Sequence, residues 1–330
     1  MRALVYTAPK TVELKEEPRI APVENEIEIA VELAGICGSD ISGFLGHSPR
    51  RKPPLVLGHE FVGTTPSGER VVVNPLMSCG RCIACRSGQQ NLCANWRLLG
   101  MDRIQGAFAE YVSVPPEQLF RIPDSLPSRQ AVMVEPLANI VHLYRIAALP
   151  PFARLAIIGA GTMGALSLLC GLRLGARDVL VADISDQRLA TMTQMGAAHA
   201  INVSSAEGVR QAKELAGFGY DVVLDASGSE AARQMAFDLC RPGGQVILLG
   251  MGALASKLDF VTSIRKEHRV VMTFAYTPVD FEQSLNLVAS GAINLAPYTA
   301  YYPLESGQEA FDLAAFTPGE ILKVIFTISS

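Results

Sequence analysis

The sequence predicts an α/β chain in two parts, a doubly wound parallel sheet and a smaller irregular β-barrel, on three patterns. From Arg154 an apolar strand-like run, a Gly159-x-Gly161-x-x-Gly164 turn, an apolar helical stretch to Leu174 and a second strand-like run, Val179 to Ala182, follow without a break and end on Asp183. Strand-like and helix-like segments then alternate as far as Leu249, the order expected of parallel strands joined by crossover helices. The first third of the chain differs, with short β-type runs separated by Pro and Gly and little helical periodicity.

The 330 residues suffice for two domains of ordinary size, and 49% hydrophobic against 18% charged residues is the balance of a globular chain. A net charge of -4 and a pI near 5.8 offer no basic face to nucleic acid or an anionic membrane, so the expected partner is a small molecule. No apolar leader follows Met1, and no run reaches the ~18 apolar residues of a membrane span, so the cytosol is the expected address. In a reducing compartment the seven cysteines read as thiols and metal ligands rather than disulfides.

Taken in order, Ala3–Tyr6, Thr11–Lys15, Glu26–Leu33, Phe61–Thr64, Val71–Val73 and Ala109–Val114 are the expected barrel strands. Among them, Cys79, Cys82, Cys85 and Cys93 have the spacing C-x2-C-x2-C-x7-C. Such a set can close a tetrahedral tetrathiolate with no vacancy for substrate, and a structural zinc is expected there. A second set is spread more widely: Cys37 in G-I-C-G-S-D, His59-Glu60 in L-G-H-E-F, and Glu135 before Pro136. One thiolate, one imidazole and a carboxylate are what a catalytic zinc with an open position requires. Singly, each has a plainer reading. Cys37 suits a small buried hydrophobe, His59 a satisfied core histidine and Glu135 the first turn of a helix, and spacing alone does not join them.

Leu137–Ala148 reads as a helix leading out of the barrel, with Pro150-Pro151 as the break before the next strand. In the glycine turn Gly159 permits a tight strand-to-helix corner, Gly161 lets backbone approach a pyrophosphate, and Gly164 lets helix and strand pack closely. Thr162 and Met163 open the helix whose free N–H groups would face the phosphates. Asp183, nineteen residues beyond Gly164, is placed to accept both hydroxyls of an adenosine ribose and to repel a 2′-phosphate, so NAD is expected over NADP. Arg188, in the helical stretch that follows, is counted with the cofactor site. The alternation then runs Asp186–Gln194 to Ala198–Asn202, Ala206–Ala216 to Asp221–Asp225, and Glu230–Cys240 to Gln245–Leu249, with Pro242-Gly243-Gly244 as the turn into the last strand. Gly250-Met251 and Phe274-Ala275-Tyr276 fall past strand ends, where open α/β sheets bind ligands, and are assigned to the nicotinamide side. Cys170 and Cys240 read as packing residues.

Gly35-Ile-Cys37-Gly-Ser-Asp40, Gly58-His59-Glu60, the four-cysteine lobe, Gly106-Ala-Phe-Ala-Glu-Tyr111, Glu135-Pro136-Leu-Ala138 and the Gly159 fingerprint together resemble the zinc-containing medium-chain alcohol dehydrogenases. The likeness is to their polyol, sorbitol and threonine dehydrogenase branch, and it covers essentially the whole chain. It implies a GroES-like β-barrel catalytic domain over 1–140, an NAD-binding Rossmann domain over 141–276, and a segment, 277–330, that returns to the catalytic domain. It further implies Cys37 and His59 as zinc ligands, Glu135 in the third-ligand place, and Glu60 as a carboxylate that exchanges with it. His59 and Glu60 can both ligate only where Gly58 allows irregular backbone, because neighbouring side chains otherwise point apart. By the same resemblance Asp40 orients the His59 ring, and Ser39 hands the substrate proton outward. The cofactors implied are one catalytic zinc, one structural zinc and NAD. The reaction implied is hydride transfer from a secondary alcohol, polyol or related hydroxy compound, in a dimer or tetramer.

Two departures from the family pattern bear on that reading. Ser42 stands where many relatives carry the histidine that completes a proton relay, with His47 nearby as a solvated loop residue. Only Thr64–Ser67 precedes Gly68-Glu-Arg-Val71, where relatives have a longer strand and loop. The Arg50-Arg51-Lys52 run reads as a solvated face, with a phosphorylated polyol substrate as the alternative. Rival readings of the whole chain are a zinc-free quinone or enone reductase, against which Cys37, His59 and Glu135 speak, and a dinucleotide-binding protein without turnover.

Overall fold

A computed structural model describes residues 1–19 and 21–329, and the chain divides into two compact units, Met1–Ala138 with Tyr276–Ser330, and Asn139–Ala275. In chain order the first unit opens with β1 (Arg2–Ala8), β2 (Thr11–Glu16), β3 (Ile27–Gly35), α1 (Gly38–Phe44), β4 (Leu55–Val56), β5 (Glu60–Thr64), β6 (Arg70–Val73) and β7 (Leu76–Met77). It continues with α2 (Ile83–Arg86), β8 (Arg97–Leu98), β9 (Tyr111–Val114), β10 (Leu119–Arg121), α3 (Ser128–Ala131) and the start of α4 (Val134–Ala147). The second unit carries β11 (Arg154–Ile158), α5 (Thr162–Arg173), β12 (Arg177–Asp183), α6 (Asp186–Gln194), β13 (His199–Asn202), α7 (Ala206–Ala216), β14 (Tyr220–Asp225), α8 (Glu230–Leu239), β15 (Cys240–Leu248), α9 (Phe260–Arg265) and β16 (Arg269–Met272). The chain then rejoins the first unit through α10 (Pro278–Ala289), β17 (Thr299–Pro303), α11 (Gly307–Phe316) and β18 (Lys323–Thr327).

In the first unit a seven-stranded sheet runs β10-β6-β5-β3-β18-β17, with β9 also on β3, beside a three-stranded sheet, β2-β1-β4. β3 alternates buried and half-buried residues until Leu33, Ala34 and Gly35, where both faces are covered. β18 pairs there, Ile325 against Gly35 and Phe326 against Ala34. The end of the chain is thus built in beside the strand that delivers Cys37. The core is aromatic: Phe44 and Phe311 have ring centroids 4.9 Å apart, and Phe108 and Phe326 meet edge to face at 5.0 Å. The short Thr64–Ser67 connection closes as a tight turn, Gly68 (φ +84°) donating to the Thr65 carbonyl.

The second unit is one parallel sheet in the order β13-β12-β11-β14-β15-β16, with strands added outward on both sides of β11. Leu155 to Ile158 and Val179 to Ala182 are buried, which is why they read as continuous apolar runs rather than alternating ones.

Among the elements that differ from expectation are α1, α4 and β15. α1 has seven residues, too few to show a helical period, and was not legible in a β-rich stretch. α4 begins at Val134 rather than Leu137, so Glu135 and Pro136 occupy its first turn. β15 begins at Cys240 and carries Pro242-Gly243-Gly244 inside the strand, where the pairing with β14 shifts register between Tyr220 and Val222. Among the described residues no helix is long and apolar enough to cross a membrane.

Candidate active site and metal centres

β3 ends at Gly35, and Cys37 stands immediately before α1. The first turn of α1 folds back on it, the Cys37 N–H donating to Asp40 Oδ2 at 3.1 Å. His59 precedes β5 and follows Gly58, whose φ of +95° only glycine adopts easily. A Cβ at Gly58 would also lie 2.5 Å from the Phe108 ring. This irregular backbone lets the consecutive His59 and Glu60 face one place, the condition the sequence set for both to act together. Ligand atoms of Cys37, His59 and Glu60 lie within 4.8 Å of one another.

The donor set fits zinc: soft thiolate, imidazole and carboxylate converge, and the ring nitrogen facing away from them is backed by an acid. His59 Nδ1 lies 3.4 Å from Asp40 Oδ1, and Nε2 lies 3.5 Å from Ser39 Oγ. Burial alone would raise the Asp40 carboxyl. The His59 and Arg51 charges and the Cys37 N–H outweigh it and hold Asp40 at about 2. Burial would lower His59, but Asp40 and Cys37 drive it well above its ordinary value.

The two glutamates have different surroundings. Glu60 forms a fully buried ion pair with Lys323 on β18. Glu135 accepts a 2.7 Å hydrogen bond from the Tyr276 hydroxyl and is pushed up to about 7 by burial and then by the Glu60 charge. The metal-capable group therefore includes Glu60, while Glu135 is held by Tyr276. Tyr276, which the sequence assigns to the nicotinamide side, is 2% exposed within the first unit, which the chain re-enters at this residue.

Arg50-Arg51-Lys52 is not a solvated face throughout. Arg51 is only 4% exposed, its Nη2 donating to Ser39 Oγ at 3.0 Å. Arg50 donates to Asp102 and stacks at 4.0 Å on Trp96, whereas Lys52 is exposed. Ser42 is half-buried on α1 and His47 is exposed.

The sulfurs of Cys79, Cys82, Cys85 and Cys93 also lie within 4.8 Å of one another, with Cys82–Cys85 at 3.5 Å and Cys79–Cys85 at 3.9 Å. Sulfurs on a tetrahedron of 2.3 Å Zn–S bonds stand about 3.8 Å apart, so the lobe matches a closed zinc site. Backbone N–H groups of Arg81 and Cys82 draw the Cys79 thiol down to about 6, and the N–H groups of Cys79 and Asn95 each donate to Cys93 at 3.4 Å. Cys170 and Cys240 are buried, and burial pushes both thiols up to about 12.

In the second unit β11 turns at Gly159 (φ +111°) into α5, which Thr162 and Met163 open with Gly161 as N-cap. A Cβ at Gly164 would overlap the Gly159 carbonyl oxygen, whereas Gly161 faces open space. Asp183 ends β12, its Oδ2 accepting from the Ala160 N–H at 2.6 Å and its Oδ1 from Ser185 at 2.9 Å. Gly159 and Asp183 border a cavity of about 430 Å³ whose wall also includes Ile184, Val203, Ser227 and Met235. Gly161, Thr162, Met163, Gly164, Arg188, Gly250 and Met251 are not part of that wall. Arg188 lies in the first turn of α6, Gly250 packs on Gly228, and Met251 is 79% exposed.

Lys323 and Ser227 escaped the sequence reading. The signal for Lys323 was a lysine inside the apolar run Leu322-Lys-Val-Ile-Phe326, a charge that burial obliges to pair. Nothing in the local sequence marks Ser227 or Met235 as cavity wall.

Two family models match in succession, "Alcohol dehydrogenase GroES-like domain" over residues 23–124 and "Zinc-binding dehydrogenase" over 148–290. The chain is 29% identical to the sorbitol dehydrogenase of Bacillus subtilis, over 98% of this chain and 96% of that one. It is 33% identical to the L-threonine 3-dehydrogenase of Stenotrophomonas maltophilia, over 95% and 96%. The alcohol dehydrogenase TADH from Thermus sp. ATN1 superposes over 100% of both chains with a TM-score of 0.92 at 30% identity. The two units thus have the GroES-like barrel and the Rossmann sheet of these proteins, and the chain belongs to the zinc-containing medium-chain alcohol dehydrogenase family.

Proposed function

We propose that the chain is a zinc-dependent oxidoreductase that moves a hydride between NAD(H) and a secondary alcohol, polyol or related hydroxy compound. The first unit acts as its catalytic domain and the second as its NAD-binding domain, working in the cytoplasm. The observation that carries this reading is the convergence of Cys37, His59 and Glu60 with Asp40 behind the His59 ring. Sorbitol and L-threonine, for which two relatives are named, both carry a secondary carbinol beside a polar group, which supports that substrate class.

Cys37, His59 and a carboxylate would hold a zinc ion, which would supply a Lewis acid for the charge developing on the carbinol oxygen, and NAD would supply the hydride acceptor. The chain's own groups do the remaining work. Asp40 occupies the Nδ1 side of His59 and so directs Nε2 toward the donor set. Ser39, whose hydroxyl is 3.5 Å from His59 Nε2, is the group through which the substrate proton leaves. Asp183 accepts the ribose hydroxyls and repels a 2′-phosphate. Metal content and NAD reduction with a panel of polyols and secondary alcohols test the reading. About two zincs per chain are expected, falling to about one in Cys37→Ala with loss of turnover. One zinc in the wild type, untouched by that substitution, would favour the zinc-free reductase or the non-catalytic reading.

We also infer that copies of the chain associate. β16 is the last strand of its sheet and exposes Val270 and Met272, and α9, which precedes it in the chain, exposes Phe260 and Ile264. Met272→Lys is expected to shift the sedimentation coefficient toward that of a 35.4 kDa monomer, and an unchanged coefficient would point to another surface.

A further inference from the structure

Arg51 is a buried cation that the reaction outlined above does not use. Its backbone lies in the connection between α1 and β4, yet its side chain runs back across α1. Gly43 makes that path possible: a Cβ there would stand 2.7 Å from Arg51 Cδ and 3.0 Å from its Cβ, so any larger residue would displace the stem. Ser39 and Gly43 are one helical turn apart and share a face. The arginine stem therefore lies over Gly43 while its head reaches Ser39. Nη2 donates to Ser39 Oγ at 3.0 Å, and Nε, which has no hydrogen-bond partner, stands 3.7 Å from Asp40 Oδ1. The same Asp40 oxygen is 3.4 Å from His59 Nδ1.

We propose that Arg51 is a positioning residue of the active site, whose guanidinium fixes the Ser39 hydroxyl and, through Asp40, the ring of His59. A guanidinium carries only donors. It occupies a lone pair of Ser39 Oγ and leaves the Ser39 proton directed elsewhere, so the hydroxyl keeps one orientation beside His59. Burying a guanidinium is costly unless it is partnered, and a side chain needed only for packing would not carry this charge past Gly43 to Ser39 and Asp40.

The inference rests on the dehydrogenase reading for its kinetic arm and stands apart from it in its metal arm. In zinc-loaded protein, Arg51→Lys keeps the charge without the planar fork. We expect it to lower kcat about tenfold while the KM for alcohol changes less than about threefold, and Arg51→Met to lower kcat about a hundredfold. Combining Arg51→Lys with Ser39→Ala should be no slower than Ser39→Ala alone, because the lysine keeps a charge beside Asp40 and loses only the contact with Ser39, which Ser39→Ala has already removed. A purely structural Arg51 would instead give multiplying losses. Gly43→Ala, which removes no polar group, should reproduce the Arg51→Lys phenotype by pushing the stem aside. Loss of one zinc to a chelator should be about tenfold faster in Arg51→Met than in wild type and unchanged in Ser39→Ala. Wild-type protein that turns over no alcohol would sink the dehydrogenase reading and leave the chelator result to decide the role of Arg51. Zinc loss at the wild-type rate in both Arg51→Met and Gly43→Ala, or multiplying losses in kcat, would overturn the proposal.

Discussion

Lys323 and Glu60 show how one residue pair ties the last strand of the chain to its candidate metal centre. Both side chains are all but excluded from water; burial works to lower the lysine's pKa, but the neighbouring charges, Glu60 foremost, raise it above its ordinary value. Gly35, opposite on β3, leaves the space, since a Cβ there would stand 2.8 Å from both Glu60 Oε2 and Lys323 Cε. Removing one partner leaves the other charge uncompensated. Lys323→Met is therefore expected to destabilise the metal-free chain by about 3–5 kcal/mol in urea unfolding, and a loss below about 1 kcal/mol would mean the pair is not buried in solution. The Tyr276–Glu135 bond is the counterpart on the second carboxylate. Of these four residues the sequence offered the two glutamates through their neighbours, Tyr276 only for the nicotinamide side and Lys323 not at all, because partners are chosen by the fold and not by spacing.

At the scale of the element, β11–α5–β12 was readable almost to its ends. The apolar run, the glycines and Asp183 all lie within one stretch, and local chemistry decides their geometry. Gly164→Ala tests the close approach: it should weaken NAD binding at least about tenfold in calorimetry while zinc content stays the same, because the overlap is with the Gly159 carbonyl. Undiminished NAD affinity would show that the turn can open without loss. α1 is the opposite case. Its seven residues carry Ser39, Asp40 and Gly43, but a helix of two turns leaves no periodic trace.

For the whole molecule, stability in acid depends on carboxylates paired within each unit. Asp178 lies in a cluster with Arg154 and His199, at 2.7 Å and 3.0 Å. Burial alone would raise its carboxyl, but the Arg154 and His199 contacts prevail and hold it below 3.8. A carboxyl depressed in the folded chain contributes stability that is present above its unfolded value, near 3.8, and is lost as the pH falls through the folded value. At 33% exposure the pair is partly screened, so Asp178→Asn is expected to cost about 1 kcal/mol or less at pH 6, with the difference from wild type shrinking below pH 3. A difference that grows on acidification would contradict this assignment.

The sequence by itself determined the fold class, the glycine turn, the acid at the end of β12, the four-cysteine lobe and the candidate ligands Cys37, His59, Glu60 and Glu135. The glycine turn, the acid and the four-cysteine lobe are each written in residues close together in the chain, whereas Cys37, His59, Glu60 and Glu135 have plainer readings singly and are joined by the resemblance of their surrounding motifs to one family. The tertiary structure alone decided that Glu60 stands with Cys37 and His59 while Glu135 is held by Tyr276. It also decided that Lys323 closes the site from the last strand, and that Arg51 lies inside on Ser39 rather than in solvent. Those are contacts between residues from 12 to 263 positions apart, and which of them form depends on sheet register and on the room left by Gly35, Gly43 and Gly58.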